Sequence, residues 1–462
     1  MAKAQRFEES GNLKASAIEL KNALGKNPDN PETRKLLGLV MLQMGDGAAA
    51  EKELKRALEL GTPQDAVNLP LAEAFLLEKK FEDVLDLGDV PESLPAAERA
   101  KLLAYRGDAW RGVKKPDRAR AEYERALALN GELSQAKEGL ARLAVANRDL
   151  TEARRLITEA LATDPGNGNL WRLQGQLFYE QRKLEEAESS FSRAVEKNSL
   201  NAVDLAMRAI IRATLKKARE AEGDIEELKK KAPHSFYTHY AAGIFAFMQN
   251  RLPVASAELE EAHRIDEQFV PILFFLGSAK FRLGQLEQAD QLISQYLLSD
   301  PDSKRAILVL ALIKFNERRF DSTLDLLLSN REQFSKQEFP LAMIGLSEFA
   351  LGRTAEGLKH FRNAVELASI STEMLKQFSI DDNVAGNSES GEGTGEAPEN
   401  HYMDLFPGRL AVAMGYIKAG QLERAQRVAE TMKPIMKGSP LPETLLGMIS
   451  RWGSEGRSKR HP

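Results

Sequence analysis

Ala15-Ser16-Ala17-Ile18-Glu19-Leu20-Lys21-Asn22-Ala23-Leu24 decides the reading of this chain, because it returns 34 residues later. Leu20, Ala23 and Leu24 are matched by Leu54, Ala57 and Leu58, and Pro28 after the first block by Pro63 after the second. The pattern comes back at Tyr123, Ala126 and Leu127, at Ile157, Ala160 and Leu161, at Phe191, Ala194 and Val195, and at Phe361, Ala364 and Val365. A fixed period of this size is the signature of a repeat architecture.

The other half of each unit repeats as well. A small residue precedes a second small residue by 12 positions: Gly38 and Ala50, Gly107 and Ala119, Gly175 and Ala187, Gly243 and Ala255, Gly277 and Ala289. A turn signal lies between them, as in Gly45-Asp46-Gly47 or Gly284-Gln285-Leu286. Each unit therefore holds two amphipathic stretches at a 3.6-residue period, joined by a short turn. The small residues let the two helices approach, the large ones fill the gap to the next unit, and Pro stops the second helix. No run of alternating β-branched residues competes.

These residues resemble the tetratricopeptide repeat family over nearly the whole chain. The expected fold is all-α, a right-handed superhelical solenoid of about twelve helix-turn-helix repeats. The expected organisation is a solenoid over 1–370, an acidic Gly/Ser-rich linker over 371–402, a further unit and the start of another over 403–450, and a basic tail over 451–462. The beat is expected to falter around Val90–Pro95, and near Ile210, where Lys216-Lys217 replaces the Gly turn. Both ends read as cut inside a unit, as they would in a fragment of a longer array or in a truncated gene product.

Composition narrows the function. Of 462 residues, 64 are Lys or Arg and 68 are Asp or Glu, a net charge of −4, without the basic excess of a nucleic-acid binder. No stretch approaches the roughly 20 apolar residues that span a bilayer. Cysteine is absent, which removes disulfides, thiol nucleophiles and Cys-zinc sites. The six His include no zinc-helix pair: His234 and His239 are five apart, on different helix faces. Gly391, Gly393 and Gly395 have the wrong spacing for a dinucleotide loop and are flanked by Glu. No catalytic, metal or cofactor-binding residue is expected.

In the family's repeat frame, the first helix of each unit lines a concave groove. Its exposed positions are polar in the N-terminal half: Glu32 and Lys35, Lys101, Asp108 and Arg111, Glu138 and Arg142, Arg172, Gln176 and Tyr179. They turn apolar and aromatic in the centre: Tyr240, Ile244, Phe247, Met248, Phe274, Phe281, Leu312, Phe315 and Phe349. A contiguous apolar stripe marks an interaction surface for a protein or peptide partner. The competing reading is core packing, or a groove filled by the chain itself, for instance by Phe378 to Asp382. A carboxylate clamp for an acidic peptide C-terminus is disfavoured, since Lys35 and Arg111 stand in units too far apart for one site.

The opening Ala2–Leu24, together with Met44–Leu54 and the Leu60-Gly61-Thr62-Pro63 turn, is similar to the long repeat proteins of bacterial PEP-CTERM/exosortase loci. That resemblance implies an exported, envelope-associated, non-enzymatic scaffold beside exopolysaccharide biosynthesis and export, although no export signal is seen in this chain. The alternative is a cytoplasmic adaptor or co-chaperone. Oligomeric state is left open.

Overall fold

The computed structural model describes residues 2–198, 201–368, 402–434, 436 and 438–458. Among these there is helix and no strand. The chain divides into two compact units, Met1–Ile211 and Arg212–Pro462.

Unit 1 stacks helix pairs α1 (Ala2–Glu9) and α2 (Leu13–Lys26), α3 (Pro31–Gln43) and α4 (Gly47–Glu59), and α5 (Asp65–Leu77) and α6 (Phe81–Leu85). It continues with α7 (Ala96–Gly112) and α8 (Pro116–Leu129), α9 (Ser134–Ala146) and α10 (Leu150–Thr163), and α11 (Gly168–Glu180) and α12 (Leu184–Lys197). Helix α13 (Ala202–Thr214) carries the boundary. Unit 2 holds α14 (Ala218–Lys231), α15 (Phe236–Met248) with α16 (Leu252–Ile265), α17 (Pro271–Arg282) with α18 (Leu286–Ser299), and α19 (Lys304–Asn316) with α20 (Phe320–Ser329). The short α21 (Arg331–Phe334) leads to α22 (Glu338–Ala350) and α23 (Thr354–Leu367), and α24 (Tyr402–Lys418), α25 (Leu422–Met432) and α26 (Leu441–Ser458) follow. In chain order the described residues make the twelve pairs that the periodicity predicts.

Local chemistry sets the ends of these helices. Asn30 and Asp46 accept hydrogen bonds from the backbone N–H of Thr33 and Ala49 at 2.8 and 3.0 Å, satisfying donors that the first turn leaves orphaned. Between the two helices of a pair the chain reverses through a left-handed residue. At Gly45 this closes a Schellman motif, in which Asp46 N–H bonds Met41 C=O at 2.9 Å. The left-handed residue recurs every 34 positions, at Lys114, Arg148, Arg182, Lys216, Asn250, Gly284, Arg318 and Gly352. The unit near Ile210, expected to be degenerate, keeps the geometry with Lys216 at φ +62°. The irregular stretch around Val90–Pro95 follows α6, which is only five residues long.

Packing explains the small residues. Where the first small residue is Gly, the side chain 16 positions later lies directly on it. A Cβ at Gly38 would stand 2.6 Å from Leu54, one at Gly175 2.8 Å from Phe191, and one at Gly243 2.6 Å from Leu259. Tyr123 shows the purpose. Its fully buried ring is clamped between Gly107 of α7 and Gly139 of α9, where added Cβ atoms would come within 2.5 and 2.2 Å. One side chain thus fixes the spacing inside its own pair and to the next.

Helix α26 runs to Ser458, past the point where a basic tail was expected to begin. The linker over 371–402, apart from Tyr402 at the start of α24, and the segment Phe378 to Asp382 lie outside the described residues.

Two stability predictions follow from this geometry. Gly139→Ala should destabilise by about 1–3 kcal/mol through overpacking, whereas Gly223→Ala, in a helix with nothing within 4 Å of the new Cβ, should stabilise by about 0.5–1 kcal/mol. Urea unfolding of both variants checks this; equal effects would mean that the ring clamp does not set the spacing. Arg182→Gly relieves a left-handed side chain at φ +61° and should raise stability by about 1 kcal/mol in the same assay. A loss would show that the Arg182 side chain itself contributes more than the strain it costs.

Candidate functional site

The first helices of unit 1 are tied to one another by polar side chains. Gln43 of α3 donates to Glu8 of α1 at 2.9 Å, and Tyr105 of α7 to Glu73 of α5 at 3.1 Å. Gln135 at the start of α9 donates to Asp108 of α7 at 2.9 Å, and Asn167, the N-cap of α11, to Glu138 of α9 at 3.2 Å. Arg172 of α11 grips the buried Asp204 of α13 with two bonds of 2.6 and 2.9 Å. Five of these first-helix pairs are thus joined by a charge-assisted rung, which is stronger than a neutral hydrogen bond.

A polar recess of about 470 Å³ opens on this ladder, lined by Asp108, Arg111, Glu138, Arg142, Asn167 and Asn169, with Leu76 and Phe81 on one wall. Four of the polar groove positions read from the sequence therefore come together. Their charges are mutually balanced. Arg142 is bonded to Glu138 at 2.7 Å, and Arg111 lies 3.4 Å from Asp108. Two arginines from successive units do converge, yet their carboxylate partners occupy them, which disfavours a carboxylate clamp. The remaining predicted positions are elsewhere: Lys35 pairs with Glu32 on its own helix at 3.0 Å, and Lys101 is exposed.

Asp108 is the centre of this recess, because the buried Tyr123 hydroxyl also donates to it at 2.8 Å. Burial, and then the Asp108 charge, push the Tyr123 phenol well above its ordinary range. Burial and Glu73 do the same to Tyr105.

In unit 2 the first-helix face changes character. Tyr240 stacks on Phe236 at 5.5 Å, and both rings meet Phe269 edge-on. Phe247 meets Phe275 at 6.0 Å and lies under the Arg282 guanidinium, while Phe274 meets Phe275 and Tyr296. Tyr240, Phe247, Phe274 and Phe349 are half-buried, and Met248 is 42% exposed. The other predicted groove residues are in the core. Ile244, Phe281 and Leu312 are buried and Phe315 is completely so. The expectation of an open stripe through all nine is corrected here. Phe281 and Phe315 point from their first helices into a continuous apolar cluster that reaches α22 and α26. Sequence position marks the helix face, but the helices packed over it decide whether that face is open.

The sequence reading missed a second recess, of about 610 Å³, between α20 and α23. Leu328, Phe334, Leu341, Ile344 and Leu367 line it, with His360 held to Glu348 at 2.7 Å. It arises because α20 stops early at Ser329 and the chain detours through α21. The only sequence signal was Ser329-Asn330, side chains that compete with backbone bonding and favour helix ends. Among the described residues no group of three or more His, Asp or Glu could hold a metal ion, and no helix is long and apolar enough to cross a membrane.

Tetratricopeptide repeat profiles match residues 9–69, 106–167 and 138–202. No curated protein sequence matches the chain. Solved structures similar to it include the APC/C hetero-tetramer Cut9-Hcn1, at 16% identity over 97% of this chain and 95% of that one, with a TM-score of 0.48. Human IFIT1, as a dimer with m7Gppp-AAAA, is 17% identical over 77% and 95%, with a TM-score of 0.41. YrrB, a TPR protein with an unusual peptide-binding site, is 22% identical over 44% and 97%, with a TM-score of 0.32.

The tyrosines carry a pH prediction. Their folded pKa values are raised, so the stability they contribute is complete below the unfolded value of about 10 and is lost as pH rises above it. The double variant Tyr105→Phe/Tyr123→Phe should lose stability at pH 8 by about 2–4 kcal/mol, from two hydrogen bonds to carboxylates. Its further loss between pH 8 and 11, read by urea unfolding, should be smaller than that of the parent. An unchanged alkaline slope would contradict the geometry.

Proposed function

We propose, from the tetratricopeptide repeats at residues 9–69 and 106–202, that this protein is a non-enzymatic scaffold that binds a protein or peptide partner on its first helices. The observation that carries the reading is the half-exposed aromatic surface of α15 and α17: Tyr240, Phe247, Met248 and Phe274. Aromatic and Met side chains at such a surface supply large contact area at small entropy cost and are enriched among residues that dominate binding energy. The polar first-helix face of unit 1, whose charges are already paired, would then contribute complementarity and register more than affinity.

The setting we propose is a bacterial envelope assembly beside exopolysaccharide production and protein sorting, with the protein in the periplasm or on the envelope. The support is the similarity of Ala2–Leu24 and Met44–Leu54 to the repeat proteins of PEP-CTERM loci.

The test is capture of partners from lysate of a bacterial host by the protein and by its double variant Phe247→Glu/Met248→Glu, with identification by mass spectrometry. Envelope or export proteins should be retained by the parent, and their affinity should fall at least about 30-fold in the variant, equivalent to a loss of about 2 kcal/mol. Circular dichroism should stay unchanged, since both side chains reach solvent. Chaperones alone in both samples would favour the cytoplasmic adaptor. Equal retention by the two forms would move the partner site away from α15.

A further inference from the structure

We propose that the recess between α20 and α23 is a binding site for a small uncharged amphiphile, an apolar body that carries one hydroxyl or N–H donor. The site belongs to second helices and is separate from the first-helix surface proposed above for a protein partner.

The recess is built by a helix that breaks without losing the beat. The left-handed turns at Arg318 and Gly352 keep the 34-residue spacing, so nothing is inserted between them. The second helix runs for 14 residues in α16, α18 and α23, yet α20 stops after 10. Its last turn is set apart as α21. Asn330 secures the break, its side-chain Nδ2–H bonding the Leu326 carbonyl at 2.9 Å. Other second helices end on a small polar residue: Asn130, Asp164, Asn198, Asp266 and Asp300. The same register, one period after Asp300, holds Phe334, which is 1% exposed. A polar helix end is here replaced by a ring that closes the bottom of a hollow.

The lining states what the hollow accepts. At about 610 Å³ it falls within the range of roughly 300–1,000 Å³ found for ligand pockets. Ile344 is buried beside Phe334, while Leu328 on α20 and Leu367 on α23 keep 41% and 42% of their surface in water. An apolar body covers these side chains and gains the area that they leave exposed. Its polar end is read by His360. The buried Glu348 carboxylate is held to His360 Nδ1 at 2.7 Å. A carboxylate only accepts, so Nδ1 carries the ring proton and Nε2 of the neutral imidazole is an acceptor. Among the described residues Nε2 has no partner. A ligand donor completes it.

Charge at the mouth selects against ions. Arg331 and the Lys418 ammonium, which bonds the Glu366 carbonyl oxygen at 2.8 Å, balance the Glu332 and Glu366 carboxylates. Neither an anion nor a cation gains from that balance.

The experiment titrates the whole chain with N-phenyl-1-naphthylamine, an uncharged probe that carries one N–H and brightens in apolar sites. Binding should saturate at one probe per chain, with a Kd below about 100 μM. Leu328→Glu/Leu367→Glu should weaken it at least about tenfold, with circular dichroism unchanged because both side chains reach solvent. Ser335→Trp, which fills the mouth from an exposed position, should do the same. Phe247→Glu/Met248→Glu should leave it unchanged, so failure of the partner surface and failure of this site are read separately. At pH 8, 1-naphthalenemethanol should displace the probe about fivefold more strongly than its methyl ether, the scale of one hydrogen bond. Absence of saturable binding, or binding that both recess variants leave intact, would overturn the site. Equal displacement by the alcohol and the ether would overturn the role of His360.

Discussion

Half of the units of this protein depend on one contact, a large side chain set on a glycine with no room for a Cβ. Gly38 under Leu54, Gly107 under Tyr123, Gly175 under Phe191 and Gly243 under Leu259 share the same spacing in the chain and the same sub-3 Å approach. Because interiors pack at crystal density, such a contact has little slack. It fixes the distance within a helix pair. In Tyr123, which also touches Gly139 of the following pair, it fixes the step to the next unit. The stack is a chain of these local decisions, which is why a linear array can be stable without long-range contacts.

On that common frame the two compact units solve the exposed first-helix face differently. Unit 1 fills it with charge-assisted rungs such as Arg172 to Asp204 and Gln135 to Asp108, so its polar groups have partners of their own. Polar groups satisfied inside the protein gain little from a ligand, because binding would only exchange one partner for another. Unit 2 uses rings. Phe247 and Phe274 are half-buried and keep some apolar area at the surface. The contrast between a charge-paired face and an aromatic one is what the proposed partner surface rests on.

The return of α24 onto α17 and α22 fits the same economy. An apolar first-helix face left to water would be an association hazard. Covering it from within the chain protects it.

Much of this was legible in the residues alone. Period, pairing, turn positions and the all-α class follow from short-range constraints: the 34-residue beat, the small-to-small spacing of 12, and a turn signal between them. These act over a few residues, so they are written locally. The change from polar to aromatic first helices was legible for the same reason, since it is a property of positions within a helix. Tertiary structure alone decided which of those positions are open. Ile244, Phe281, Leu312 and Phe315 share a register with Tyr240, Phe247 and Met248, yet the first group is buried and the second reaches the surface. The difference is made by what packs over each position, and a residue carries no mark of the elements that come to cover it. It also made the recess behind α21, where an early helix end leaves space that no periodicity announces. A local pattern specifies a face; burial depends on what else in the chain arrives there.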